Sequence, residues 1–265
     1  MKLDPVSALL LDEAGPLPDG GAEGTVLVID DPALAGHLHT AGLTVRAYCD
    51  DLRDEATLPV PALEQLDAAT LTGVGLVLLR LPKGLGMLQD YAERVAAFAP
   101  DQVRLLAGGR DKHLTRGMNE VLGRSFGSVR ASLGRQKSRV LHASAPEPGG
   151  LSWPRTTVLD EIGLTVVSHA GSFAAERLGG GTRLLLGALA AALEGTADGS
   201  RAVDLGCGTG ILAAWLARRG HDVLAVDVSR AACASAVSTA AANGVAVEVL
   251  RADGLAGRPD TGADL

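Results

Sequence analysis

The residues whose types and spacing could do chemistry lie between Ala202 and Asp227, in the run AVDLGCGTGILAAWLARRGHDVLAVD. Residues 202–205 read as a buried strand, after which Gly206, Gly208 and Gly210 remove every second side chain from the turn that follows. A turn without Cβ atoms lets backbone approach a ligand closely. Residues 211–219 then resume a helical pattern, so the turn delivers the chain to a helix N-terminus with free N–H groups. A second apolar strand, 223–226, ends in Asp227, 23 positions after Asp204. That is the reach expected of a carboxylate that accepts both hydroxyls of a ribose. A dinucleotide fingerprint, G-x-G-x-x-G, would need a third glycine at position 211, where the chain has Ile211. The spacing D-x-G-x-G-x-G is therefore a nucleoside-binding turn of another kind.

These residues need a scaffold, and the apolar runs supply one. Residues 25–30 read as a strand followed by Asp31-Pro32 at a helix start, 44–48 and 74–79 as further strands, 85–98 as a helix and 102–107 as a strand. Strand and helix in alternation describe a doubly wound α/β domain. Its first turn reads Asp31-Pro32-Ala33, with no glycine cradle, so this half is expected not to bind a cofactor and to position substrate or give structural support. A short helix is expected over 114–122 and a last strand over 137–142. The run SAPEPGG, 144–150, reads as a linker between a domain 1–143 and a domain 151–265. In the second domain a hairpin is expected over 156–168, turning at 160–163, then a polar, glycine-rich approach to a helix over 183–193. Ser229 can cap a helix running to Ala242, Asn243-Gly244 can end it, and 245–250 reads as a third strand leading to Asp253-Gly254.

Composition narrows the function classes. Hydrophobic residues make up 47% of the 265 but aromatics only 3%, so the core must be built from Ala, Val and Leu. The three cysteines, Cys49, Cys207 and Cys233, form no C-x-x-C pair, which argues against a disulfide framework and against a zinc site. Cys207 and Cys233 read as small fillers. No apolar run reaches the length of a membrane span, so a cytoplasmic protein is expected. The net charge is −7, yet residues 104–142 carry nine Lys and Arg against two acids, a local +7. Such a segment is an electrostatic footprint for phosphate if its side chains share a face, and otherwise a set of scattered solvated arginines. The candidates for contact with RNA are Arg110, Lys112, Arg116, Arg124, Arg135 and Lys137. His113 has no acid or nucleophile in motif relationship to it and reads as a loop hydrogen-bonder.

Taken together, LLRLPK (78–83), AGGRDKH (107–113), AGSF with LGGGTRLLL (170–186), VDLGCGTGILA (203–213), AVDVS (225–229) and Asn243-Gly244 resemble the bacterial ribosomal RNA guanine-N2 methyltransferases of the small and large subunit. The resemblance implies an α/β fold of two tandem Rossmann-like class I methyltransferase domains, the N-terminal one degenerate and the C-terminal one binding S-adenosylmethionine. It implies cofactor contacts from Asp204, Gly206, Cys207, Gly208, Gly210, Asp227, Val228, Asp253, Gly254 and Thr182. It further implies ribosomal RNA or a ribosomal subunit as partner, no metal, and a monomer when full length. Alternatives are a class I methyltransferase acting on a protein amide or small molecule, and a non-enzymatic RNA-binding scaffold. Two departures stand out. Leu178 is followed by Gly179, Gly180 and Gly181 where the family carries an acid. The family's N-P-P-F tetrapeptide, whose Asn and first Pro carbonyl hold the target amine while the aromatic stacks on the base, has no counterpart through Leu265. The C-terminal domain is accordingly expected to be incomplete, the chain a truncated or partial sequence, its motif strand a sheet edge, and no residue of it catalytic. It is expected to bind cofactor poorly and to transfer no methyl group.

Overall fold

A helix precedes the first of the expected strands. Asp4 caps it, its Oδ1 accepting the N–H groups of Val6 and Ser7, each at 2.9 Å, and Pro5 opens α1 (Pro5–Ala14). Val6, Leu9 and Leu10 face inward, and Leu10 sits so tightly on the sheet that a Cβ on Gly108 would lie 2.6 Å from its Cγ. The computed structural model describes residues 3–17, 24–172, 178–193, 199–256 and 262–263. Two units divide the chain, residues 1–152 and 153–265.

In the first unit β1 (Thr25–Ile29), α2 (Pro32–Thr40), β2 (Val45–Tyr48), α3 (Leu52–Glu55), α4 (Ala68–Leu71), β3 (Val74–Arg80), α5 (Leu85–Phe98) and β4 (Arg104–Arg110) follow the expected alternation. Next come α6 (Arg116–Leu122), β5 (Phe126–Ala131) and β6 (Ser138–Pro146). The sheet order is β2-β1-β3-β4-β6-β5, with the first four strands parallel. β6 runs antiparallel to β4 and to β5, giving a mixed sheet. Strand β5 and its hairpin were not legible from the sequence, because Gly127, Ser128 and Arg130 are exposed and interrupt any apolar run. The linker expected over 144–150 needs correction at its start. Residues 144–146 complete β6, pairing Ser144 with Ser128 and Pro146 with Phe126, and Glu147 N–H donates to the carbonyl of Ser125 at 2.8 Å.

The second unit begins with the expected hairpin, β7 (Arg155–Leu159) and β8 (Leu164–Ser168). After α7 (Gly180–Ala192) come β9 (Arg201–Leu205), α8 (Ile211–Ala217), β10 (Asp222–Asp227), α9 (Arg230–Ala242) and β11 (Glu248–Arg251). The parallel sheet has the order β11-β10-β9, so β9 lies at one edge and Leu205 is exposed. Its core is built from small residues as the composition requires, among them Ala202, Ala213, Ala214, Ala225 and Ala236.

One contact in this unit joins a helix to a strand edge through side chains. The N–H groups of Thr165, Val167 and His169, alternate residues at β8, donate to Asn243 Oδ1 (3.0 Å), Thr239 Oγ1 (3.0 Å) and Ser235 Oγ (2.9 Å). Asn243 Nδ2 and Thr239 Oγ1 donate back to the carbonyls of Thr165 and Val167. Four helical residues rise about 6 Å and two strand residues about 6.6–6.8 Å, so every fourth residue of α9 meets every second residue of β8. Polar groups at 235, 239 and 243 thereby take the place of a neighbouring strand, and Ser235 and Thr239 are fully buried without loss. Thr239→Val keeps the shape but strands both backbone groups of Val167. We predict that it lowers the stability of this unit by roughly 1–3 kcal/mol in urea unfolding, while Thr239→Ser stays close to the parent.

Candidate functional site

The glycine turn of the second unit is held shut by backbone and opened by its φ angles. Gly206 and Cys207 both donate to the carbonyl of Val226, at 2.8 and 3.0 Å, and Gly210 donates to that of Cys207 at 2.8 Å. Gly206, Gly208 and Gly210 have φ of 77°, 53° and 73°, the left-handed region that glycine enters without a Cβ penalty. The positions differ in what surrounds them. At Gly206 a Cβ would meet nothing within 4 Å, so that face of the turn opens onto free space. At Gly210 a Cβ would lie 2.7 Å from the Cα of Ala236, so α9 can reach the turn only over a glycine.

Asp227, at the end of β10, ties this turn to the next strand. Its Oδ2 accepts the N–H of Gly208 at 3.1 Å and its Oδ1 the N–H of Ser229 at 2.9 Å. A carboxylate has about four lone-pair sites, so each oxygen keeps one for a further donor. Ser229 then caps α9, accepting from Ala232 N–H at 3.2 Å. Asp204, at the end of β9, also lines the cleft around this turn and supports the turn from behind. It is buried, its Oδ2 accepts the N–H of Ala213 in the first turn of α8 at 3.1 Å, and so it caps that helix from the strand behind it. Burial pushes its carboxyl up to about 6, against the Ala213 N–H, which favours the charge, and with help from the Asp227 carboxylate.

Around the turn lies a cleft of about 290 Å³, at the low end of small-molecule sites. Of the ten candidate cofactor residues, Asp204, Gly206, Cys207, Gly208, Asp227 and Thr182 line it. Gly210 stands behind it under α9. Val228, Asp253 and Gly254 are not in its wall: the carbonyl of Val228 accepts from Arg251 Nε at 3.3 Å, and Asp253 is exposed with its carbonyl accepting from Ala256. Residues 257–261, directly after it, lie outside the described residues, as does Phe173 of the AGSF run. The structure adds Gly171, Ser172, Thr209 and Ser229 to the wall. Ser172, whose Oγ donates to the carbonyl of His169 at 2.7 Å, was signalled only by AGSF, and Ser229 only by its place after Asp227. Burial pushes the Cys207 thiol up, consistent with a small core filler.

The corresponding turn of the first unit is filled by its own side chains. Asp31, buried, caps α2 through Leu34 N–H and accepts from Ser7 Oγ at 2.8 Å and from Arg80 at 2.9 Å. Arg80 also pairs with Asp4 at 3.0 Å. Beside it Asp30, with φ of 55°, accepts from Asp50 N–H and Tyr91 Oη, both at 2.9 Å, and burial pushes its carboxyl up to about 6.

The basic segment is less free than its charge count suggests. All six candidates are exposed. Arg135, however, pairs with Asp12 (3.3 Å) and Glu13 (3.0 Å) of α1, and Arg116 with Glu120 (3.3 Å). Arg110 donates to the carbonyl of Gln136 and to Ser138 Oγ, neutral acceptors that leave its charge uncompensated. Among the described residues Lys112, Arg124 and Lys137 carry no ion pair, no group of three or more His, Cys, Asp or Glu could hold a metal ion, and no helix is long and apolar enough to cross a membrane.

A parallel sheet with a glycine turn after its first strand and an acid after its second is the layout of the class I S-adenosylmethionine-dependent methyltransferase fold, and the groups present fit that cofactor: Asp227 has acceptors to spare for ribose hydroxyls, and Gly206 leaves the turn open. Known proteins agree. Residues 19–147 match the family model of the RlmG N-terminal domain and residues 163–265 that of the methyltransferase small domain. The chain thus joins the RlmG N-terminal domain to a methyltransferase small domain. It is 35% identical over 205 residues to ribosomal RNA large subunit methyltransferase G of Streptomyces avermitilis, covering 72% of this chain and 52% of the relative. For the Pseudomonas putida protein of the same name the values are 38% over 188 residues, 68% and 49%. The chain thus spans about half the length of these curated relatives. A solved structure of the T. thermophilus 16S rRNA N2 G1207 methyltransferase RsmC, in complex with AdoMet and guanosine, shares the fold with a TM-score of 0.74 at 24% identity, over 95% of this chain and 70% of that one.

Proposed function

We propose that the protein, when full length, transfers a methyl group from S-adenosylmethionine to the exocyclic N2 amine of a guanine in ribosomal RNA, in the cytoplasm and as a monomer, with residues 1–265 supplying the cofactor cleft and not the groups that hold the target amine. The observation that carries this reading is the double tie of Asp227 to Gly208 and Ser229 beside an open glycine turn. Asp227 would accept the ribose hydroxyls, and Gly206, Gly208, Ser172 and Thr182 would enclose the nucleoside. Asp204 supports the turn through α8, and Asp253-Gly254 would approach the adenine end. When bound, S-adenosylmethionine supplies a methyl group on a positively charged sulfur, open to in-line attack by a lone pair. A guanine amine is a weak nucleophile because its lone pair is delocalised into the ring, so what the protein must contribute is orientation and exclusion of water. The relatives named for ribosomal RNA support the substrate, as do Arg110, Lys112, Arg124 and Lys137 on the surface of the first unit.

The test is incubation with methyl-tritiated S-adenosylmethionine and ribosomal RNA or subunits, followed by nuclease digestion and mass spectrometry. The expected product is N2-methylguanosine. Label found in ribosomal protein, or in another nucleoside, would reject the assignment.

A further inference from the structure

The first unit has a cavity of its own, of about 270 Å³, at the C-terminal ends of the adjacent parallel strands β3 and β4. In open α/β sheets ligands bind outside the carboxyl ends of the strands. The floor is apolar: Val6 and Met118 are buried, and Leu81, Pro82 and Leu114 are half-buried. Gly109 keeps the back wall open, since a Cβ there would lie 3.1 Å from Leu81 Cδ1 and 3.3 Å from Leu114 Cδ1. The rim carries Lys83, Arg110 and His113, all exposed. Arg80 also borders the cavity, but its charge is consumed by Asp4 and Asp31. Lys83 has no ion pair among the described residues, and Arg110 donates only to neutral oxygens.

An apolar floor under uncompensated cations asks for an occupant that is flat and apolar on one part and anionic on another. We propose that this cavity takes one unpaired nucleotide of the RNA substrate, its base against Leu81, Leu114 and Met118 and its phosphate against Lys83 and Arg110. Single-stranded RNA offers such units, with bases free to leave the stack. A polarizable methionine sulfur is a favourable neighbour for an aromatic ring. The fold makes the assignment economical. The β1–α2 turn is closed by Asp31, Ser7 and Arg80, whereas the ends of β3 and β4 are left open. The unit would then hold a nucleotide of the substrate strand in place. This inference rests on the ribosomal RNA reading above.

The test uses the whole protein and a fluorescently labelled single-stranded oligoribonucleotide carrying 4-thiouridine, followed by anisotropy and by photo-crosslinking with peptide mapping. Lys83→Ala combined with Arg110→Ala is expected to weaken binding about tenfold or more, and Arg104→Ala combined with Arg130→Ala, the same charge change on exposed residues outside the cavity wall, threefold or less. Leu114→Asn, which removes floor without changing charge, is expected to weaken binding by about fivefold or more. Crosslinks are expected within 81–83 and 108–118. Equal losses for the two charge pairs, or crosslinks confined elsewhere while the parent binds, would overturn the cavity and leave the RNA reading intact. A parent protein that binds no RNA at all would overturn both.

Discussion

Asp227→Ala is expected to weaken binding of S-adenosylmethionine by about 10²–10⁴-fold, read by isothermal calorimetry. The carboxylate does two things at once. Its two oxygens fix the N–H groups of Gly208 and Ser229, and so the distance between the glycine turn and the start of α9. Its remaining lone pairs face the cleft, where two ribose hydroxyls would donate. A hydrogen bond to a charged group contributes about 1.5–3 kcal/mol, so two of them amount to about 3–6 kcal/mol, and each 1.4 kcal/mol is tenfold in affinity. Asp227→Asn should fall between, because the amide keeps one acceptor oxygen and replaces the other with a donor that Gly208 or Ser229 N–H cannot use. An alanine variant that binds as the parent does would remove the ribose assignment and the cofactor site with it.

Gly210→Ala should be the most damaging single methyl group in the second unit. Two costs add there. An L-residue at φ of 73° loses roughly 1–2 kcal/mol. The new Cβ would lie 2.7 Å from the Cα of Ala236, a backbone atom in mid-helix that cannot step aside, and overpacking of this kind costs about 1–3 kcal/mol. The expected destabilisation is therefore about 2–5 kcal/mol. Gly206→Ala provides the contrast. Its φ is 77° but nothing lies within 4 Å of its Cβ, so only the conformational cost of about 1–2 kcal/mol remains. Both tryptophans, Trp153 and Trp215, belong to the second unit and are buried, so their fluorescence in urea reports on this unit alone. Equal midpoints for the two variants would show that the close approach of α9 to the turn is not what Gly210 is kept for.

The two sites differ in what their neighbours leave unsatisfied. In the second unit the acid after the second strand reaches back to the turn, and the turn stays open. In the first unit the roles are reversed: Asp30, at the turn, accepts from Asp50 after β2, while Asp31 and Arg80 neutralise one another in the space beside it. The same parallel layering thus presents an open cleft at the ends of β9 and β10 in one unit and an open cavity at the ends of β3 and β4 in the other.

Features set by neighbours in the chain were legible in the residues alone. The spacing of Gly206, Gly208 and Gly210 marked a turn bare of side chains, Ser229 a helix cap, and the two β-rich runs about residues 160–163 a hairpin. Asp227 could be read as a ligand-facing acid because strand length fixes where a strand ends. What only the tertiary structure decided are the partners of polar groups far apart in sequence. Nothing local marks Asp204 as the cap of α8, Ser235, Thr239 and Asn243 as the false edge strand for β8, or Arg135 as the partner of Asp12 and Glu13. Backbone conformation is chosen within a few residues by sterics, whereas a hydrogen bond or ion pair is chosen by whatever packing brings within 3 Å, and that becomes known only once the chain has folded.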